Sequence, residues 1–278
     1  MELTPFVSGL GFAEGPRWHQ DKLWFSDFGA RLVRHVDVTG HVTEVARVPE
    51  RPSGLGFLPD GRLLIVSMND QRVLRLEHGV LHEHADLSRY TSHACNDMVV
   101  DRAGNAFVGH MGFDLLARTP TPQAAEILCV RPDGQSHVAA RDLSFPNGPA
   151  ITPDGRTLIV AETFASRLSA FTIGEDGLLH ERRVFAPLPG RAPDGICLDA
   201  EGAVWVADAR GKACVRVREG GEISDVIETG RGCYACALGG SDGRTLFLCT
   251  AEGYDLAAMA RGTGAIHMAR VPVPAARY

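Results

Sequence analysis

One stretch recurs six times along this chain, and its recurrence limits the fold more than any other feature. The copies run 13–29 (AEGPRWHQDKLWFSDFG), 53–68 (SGLGFLPDGRLLIVSM), 96–112 (NDMVVDRAGNAFVGHMG), 147–163 (NGPAITPDGRTLIVAET), 194–208 (DGICLDAEGAVWVAD) and 234–251 (YACALGGSDGRTLFLCTA). Each reads as a polar or small residue, a short apolar run, a turn usually built on Asp-Gly or Gly, and a second, strongly apolar run. That is a β-hairpin with both strands largely buried. Aligned on their polar residue, the copies start at Glu14, Ser53, Asn96, Asn147, Asp194 and Tyr234. They recur at about 40 to 50 residues, the interval of propeller blades. The expected fold is all-β, a six-bladed β-propeller in one domain spanning 1–278.

Radial repetition places equivalent residues of the innermost strands in a ring about the axis. Glu14, Asn96, Asn147 and Asp194 would bring two carboxylates and two amide carbonyls together there. Such a set is costly to bury alone and suits a divalent hard cation, so a central metal site is expected.

Composition narrows the partners. The net charge is −6, only two of the 28 basic residues are Lys, and no basic cluster occurs, which argues against nucleic acid and anionic membrane. No segment approaches a membrane span or a secretory leader. The seven Cys are odd in number and scattered through strand-like runs, so a reduced, cytoplasmic protein is expected. Cys233 and Cys236 form an isolated C-x-x-C, read as two small buried hydrophobes.

Taken in order, residues 2–7 read as a short strand that closes the last blade against 265–273, removing an exposed edge. His82 and His84 fall on an outer strand far from the axis and read as solvated rather than metal-binding. The third interval is the longest, and 113–125, with Pro120 and Pro122, fits no strand; a loop over one face of the propeller is expected. Blade geometry puts His93, His110, Met111, Phe113, Phe164, Tyr234 and Ser53 beside the ring as pocket walls. Asp97, next to Asn96, reads either as support for the ring or as a turn residue.

AEGPRW at 13–18, ND at 96–97, FPNG at 145–148, PDG at 193–195 and CALGG-x-DGRTLF at 236–247 together resemble the regucalcin (senescence marker protein)/gluconolactonase/luciferin-regenerating-enzyme family. The resemblance covers nearly the whole chain. It implies a catalytic divalent metal on the propeller axis, with Glu14, Asn147 and Asp194 as its ligands, Asn96 on the metal or its water, and Asp194 as general base. Sugar-lactonase members carry Arg two residues before the axial Asn, where it contacts substrate hydroxyls; this chain has Ala94 there, which points to a less polar substrate.

The expected activity is divalent-metal-dependent hydrolysis of a small lactone or ester. The ion, Ca²⁺ first and Zn²⁺, Mn²⁺ or Mg²⁺ as alternatives, would polarise the carbonyl, with Asp194 as base or nucleophile. A phosphotriesterase-like hydrolase on the same scaffold and a non-enzymatic metal-binding propeller are the alternatives. No G-x-S-x-G elbow, P-loop or dinucleotide fingerprint competes.

Overall fold

Period-two apolar patterning broken by Gly-containing turns organises the chain into six four-stranded antiparallel sheets, as seen in a computed structural model that describes residues 1–276. After β1 (Leu3–Leu10), blade one is β2 (Ala13–His19), β3 (Lys22–Asp27), β4 (Leu32–Asp37) and β5 (Val42–Arg47). Blade two is β6 (Pro52–Phe57), β7 (Leu63–Ser67), β8 (Arg72–Glu77) and β9 (Val80–Asp86). Blade three is β10 (Cys95–Val100), β11 (Ala106–His110), β12 (Ala125–Val130) and β13 (Ser136–Leu143). Blade four is β14 (Pro146–Ile151), β15 (Thr157–Glu162), β16 (Arg167–Ile173) and β17 (Leu179–Pro187). Blade five is β18 (Pro193–Leu198), β19 (Val204–Asp208), β20 (Ala213–Val217) and β21 (Ile223–Glu228). The last sheet combines β22 (Gly232–Gly239), β23 (Thr245–Ala251) and β24 (Gly264–Arg270) with β1 as its outer strand, paired antiparallel to β24 from Leu3↔Ala269 to Leu10↔Gly264 with register shifts after Pro5 and Ser8.

The hairpin turns follow from their residues. In Thr152-Pro153-Asp154-Gly155, Asp154 Oδ1 accepts the Arg156 N–H at 3.0 Å while Gly155 adopts φ +75 and donates its N–H to Thr152 O at 2.8 Å. Only glycine takes that φ without steric cost.

Inner strands are buried on both faces because each lies between two neighbouring blades. One apolar cluster fills each blade interface. Leu55, Leu63 and Ile65 pack on Val33 between blades one and two, and Ile196 and Val204 pack on Ile159 and Leu168 between four and five. The equivalent clusters close the other four interfaces. Outer strands such as β5 and β17 are largely exposed or half-buried, because they have a neighbouring strand on one side only.

Crowding at the axis selects small residues directly after the ring positions: Gly15, Gly54, Gly148, Gly195 and Ala235. A Cβ on Gly148 would lie 2.5 Å from Gly195 Cα and 2.6 Å from Ile196 N, both backbone atoms of the adjacent blade. Gly148→Ala is therefore expected to destabilise by about 3 kcal/mol through overpacking, measured as a lower midpoint in denaturant. An unchanged midpoint would mean that the blades can part at no cost.

The exception in this series is Asp97. It is buried, paired with Arg17 at 2.9 Å, and accepts the Met98 N–H at 2.8 Å. The ion pair locks blade one to blade three across the inner edge of blade two.

Candidate functional site

The inner strands deliver Glu14, Asn96, Asn147 and Asp194 to the floor of one cavity of about 740 Å³. The four side chains are linked. Asn96 Nδ2 donates to Asn147 Oδ1 at 3.0 Å, Ser53 Oγ donates to Asn96 Oδ1 at 3.3 Å, and the Asn147 amide also bonds to Asp194. Asn147 Nδ2 reaches Thr163 Oγ1 at 3.3 Å, and that hydroxyl donates to Pro193 O at 2.7 Å, so the ring is braced from blade four to blade five.

The floor is electrostatically crowded. Glu14 and Asp194 are 9% and 8% exposed. Burial first, then the facing Asp194 and Asp97 carboxylates, push the Glu14 pKa well above the usual range. Burial, then Asp97, does the same for Asp194. Arg17 offers little relief, because its guanidinium is bonded to Asp97, Pro16 O and Met98 O. Among the described residues no three His, Cys, Asp or Glu side chains are grouped as a metal site. The floor instead offers two carboxylates and two amide oxygens, a hard-oxygen donor set that neutralises a divalent cation. Each amide oxygen carries two lone pairs, so Asn147 Oδ1 can accept from Asn96 and still face a second partner.

Two layers rise above the floor. Two residues before each ring position stand Phe12, Arg51, Ala94, Phe145 and Ala192, all lining the cavity. Their carbonyls accept N–H groups from Phe28, Met68, Met111, Thr163 and Ala209 at 2.9 to 3.2 Å, and these five line it too. The sixth blade has Gly232 at this level, and the Tyr234 ring occupies the space: a Cβ there would meet Tyr234 Oη at 2.5 Å. Phe12, Phe28, Met68, Tyr234 and Met259 form one apolar cluster, the Phe12 and Tyr234 ring centroids 4.6 Å apart. Burial pushes the Tyr234 pKa up to about 12, so its hydroxyl keeps its proton at neutral pH.

This collar is held from behind by the last residues of the second strands. Asp27 Oδ1 accepts the Phe12 N–H at 3.2 Å, Asp208 Oδ1 the Ala192 N–H at 3.1 Å, and Glu162 Oε2 the Ser144 N–H at 2.8 Å. Each carboxylate is buried and paired with arginine: Asp27 with Arg34, Asp208 with Arg191, and Glu162 with Arg167 and Arg182.

His93, Met111, Phe113, Phe164 and Tyr234 line the cavity with the ring residues. Phe113 and Phe164 pack against one another with centroids 5.5 Å apart and planes tilted by 32°, and Phe164 stays 45% exposed. His110 does not line it. It occupies in blade three the place of Asp27, Glu162 and Asp208, at the end of the second strand, and turns behind the wall: Nε2 meets Glu126 Oε2 at 2.7 Å and Nδ1 accepts the Gly112 N–H at 3.2 Å. The expected place of His110 in the pocket wall is therefore not what the structure shows. Ser53 reaches the floor only through Asn96.

Two further expectations change in detail, those for His84 and the 113–125 loop, while the reading of Cys233 and Cys236 as small buried hydrophobes agrees with the structure. His84 is buried, its Nδ1 3.1 Å from Arg75 Nη1, while His82 on the same outer strand is exposed. Cys233 and Cys236 pack as free thiols in the apolar cluster between blades five and six. Of the 113–125 loop, Phe113, Asp114, Leu115 and Leu116 reach the cavity, whereas Ala125 already opens β12.

Sequence reading missed the wall between β23 and β24. There α1 (Leu256–Ala260) brings Met259 and the preceding Tyr254 to the cavity. The signal was present but short: Asp255 caps the helix by accepting the Ala258 N–H at 2.9 Å, and Gly262 follows its end.

Comparison with known proteins identifies the family and the fold. Residues 12–252 match the family model described as SMP-30/Gluconolactonase/LRE-like region. A 6-deoxy-6-sulfogluconolactonase from Pseudomonas putida is 27% identical over 248 residues, covering 84% of this chain and 81% of the relative. A pentonolactonase from Haloferax volcanii is 28% identical over 248 residues, 86% of this chain and 81% of the relative. Among solved structures, a gluconolactonase from Xanthomonas campestris superposes with TM-score 0.79 and 26% identity over 98% of this chain and 89% of the other. Among the described residues no helix is long and apolar enough to cross a membrane.

Proposed function

The chain belongs to the SMP-30/gluconolactonase/LRE-like family, and from that premise we propose that it is a divalent-metal-dependent hydrolase of lactones or carboxylic esters less polar than a sugar lactone. The observation that carries this reading is the meeting of Glu14, Asn96, Asn147 and Asp194 on the floor of one cavity beneath a largely apolar collar. The lactonase activities named for relatives from two organisms support it.

Glu14, Asn147 and Asp194, with Asn96 directly or through a water, would hold one ion, Ca²⁺ foremost for an all-oxygen set and Mg²⁺, Mn²⁺ or Zn²⁺ as alternatives. Bound there, it would supply Lewis-acid polarisation of the substrate carbonyl and charge for the developing oxyanion. Asp194 acts as general base, one carboxylate oxygen taking the proton of the water that attacks the acyl carbon. Asn96 and Asn147, tied to one another and to Ser53 and Thr163, keep their oxygens fixed toward the floor. Phe12, Phe28, Met68, Met111 and Met259 shed water from above, which strengthens every polar contact made below them.

Ala94 sets the polarity of the blade-three wall. A small apolar side chain there leaves no donor for substrate hydroxyls, and Met111 and Tyr234 pack beside it. Initial rates of proton release on matched alkyl and polyhydroxy lactones test the assignment. Wild type is expected to favour the alkyl series, and Ala94→Arg to move the kcat/KM ratio toward the polyhydroxy lactone by about tenfold, the worth of one charge-assisted contact. A wild-type preference for the sugar lactone would overturn the substrate reading while leaving lactone hydrolysis intact.

A further inference from the structure

The layer of residues two positions before the ring holds one charge. Phe12, Ala94, Phe145, Ala192 and Gly232 are uncharged; the blade-two member is Arg51. Equivalence of the layer rests on backbone geometry. The following residues Ala13, Pro52, Cys95, Pro146 and Pro193 pair with the last residues of their second strands, Asp27, Ser67, His110, Glu162 and Asp208. Arg51 O accepts the Met68 N–H at 2.9 Å, as Ala94 O accepts that of Met111 at 3.0 Å. The Arg51 side chain therefore stands over the Ser53 sector of the floor, one blade away from Ala94, and lines the cavity.

Its charge is unanswered. Several other buried or part-buried guanidinium groups have carboxylate partners: Arg17 with Asp97, Arg34 with Asp27, Arg191 with Asp208, Arg216 with Asp199. Arg51 enters no ion pair among the described residues, and its buried Nε has no hydrogen-bond partner. Burial, and then the nearby Arg31 guanidinium, lower its pKa from the usual arginine value, the mark of a cation without compensation. Leaving such a group unpaired is costly, and a guanidinium presents a planar fork that fits an oxyanion through two parallel hydrogen bonds. Beside it Asn69 and Gln71 line the same wall and add amide groups.

We infer that Arg51 is a specificity-determining residue that receives an anionic substituent of the substrate, so that the substrate is a lactone or ester carrying a carboxylate or similar oxyanion away from the scissile bond. The inference rests on the lactonase reading and amends its polarity: the part of the substrate facing Ala94 carries no hydroxyls, and a single anionic group lies one blade away at Arg51. The apolar collar accepts the ring and its carbon skeleton, Asp194 and the floor meet the acyl group, and the anion lies at the blade-two wall. No bond to Arg51 forms or breaks; it orients the substrate.

The experiment compares γ-butyrolactone γ-carboxylate with its neutral primary amide, in wild type, Arg51→Met and Arg51→Lys. Wild type is expected to prefer the carboxylate. Arg51→Met should lower kcat/KM for the carboxylate by about 30-fold, within the range of a charge-assisted contact, while changing the amide by less than about threefold. Arg51→Lys should recover part of the loss as a point charge without the fork. Equal losses on both compounds, or no wild-type preference for the carboxylate, would overturn the inference. Titration calorimetry of the same two compounds separates this from failure of the lactonase reading: with no turnover on either compound, carboxylate-selective binding abolished in Arg51→Met still upholds the anion site, and binding without selectivity or no binding rejects it. The unfolding midpoint of Arg51→Met, expected to match or exceed that of wild type because an uncompensated buried charge is removed, separates a loss of recognition from a loss of fold.

Discussion

In Asp194→Asn, lactone turnover is expected to fall by at least about a thousandfold, the scale of losing a positioned base. Stability should respond in the opposite direction to a simple loss of structure. Asp194 is buried among Glu14 and Asp97, and all three carboxylates crowd a region where the guanidinium of Arg17 is already bonded to Asp97. Removing one negative charge relieves that repulsion at nearly constant volume, so the melting temperature in chelator should stay level or rise. Addition of divalent ion should raise Tm of wild type by about 5–10 °C at a hundredfold excess over Kd, and raise that of Asp194→Asn far less. Differential scanning fluorimetry beside the rate assay checks both arms. A variant that keeps its turnover would remove Asp194 from the chemistry whatever its effect on the ion.

The second large effect concerns the scaffold behind the collar. Glu162 is completely buried, receives Arg167 at 3.0 Å and Arg182 at 2.7 Å, and bonds to Ser169 Oγ and the Ser144 N–H. Burial alone would raise its pKa, but these partners together hold it down to about 2. Because the folded-state value lies below the unfolded one, the group's contribution is fully present above about pH 4.5 and is lost as pH falls toward 2. Over that span the loss amounts to about 3 kcal/mol. Glu162→Gln keeps the shape and leaves two guanidinium groups without their carboxylate, an expected cost of about 3–5 kcal/mol. For a chain of this size that is a fall in Tm of about 10 °C at neutral pH, with a flatter acid limb between pH 4.5 and 2. Calorimetry across pH reads both. An acid limb as steep in the variant as in wild type would assign the acid sensitivity to other carboxylates.

These expectations lean on features of different visibility in the sequence. The six blades were legible because each hairpin repeats a polar residue, an apolar run and a Gly turn, and because burial on both faces of the inner strands favours apolar or small residues beyond the ring positions. The ring Glu14, Asn96, Asn147 and Asp194 followed from aligning the copies, since equivalent positions on inner strands must converge near the axis. The structure places those four in one cavity. His110 misled because a strand end near the axis can turn its side chain into the cavity or behind the wall. Only the comparison with Asp27, Glu162 and Asp208 shows that this position turns behind it. His84 was read as solvated since period-two alternation on an outermost strand does not reveal that Arg75 and blade three cover it. Met259 and Tyr254 lie on a five-residue helix, too short for a helical period to register. The collar was hidden for a different reason: its members Phe12, Arg51, Ala94, Phe145 and Ala192 share a place in space and no chemical type, so no motif connects them.

The most direct measurement is proton release from a panel of alkyl, aromatic, carboxylated and polyhydroxy lactones and simple esters, by wild type before chelation, after chelation and after return of Ca²⁺, Mg²⁺, Mn²⁺ or Zn²⁺ in turn. Turnover of at least one lactone that disappears with chelator and returns with a divalent ion is the expected result. Hydrolysis unaffected by exhaustive chelation would contradict the assignment of Glu14, Asn96, Asn147 and Asp194 as a metal-holding set. Ion binding with no turnover across the panel, while phosphotriesters are hydrolysed or nothing is, would replace lactone hydrolysis by phosphorus-ester chemistry or by metal binding alone.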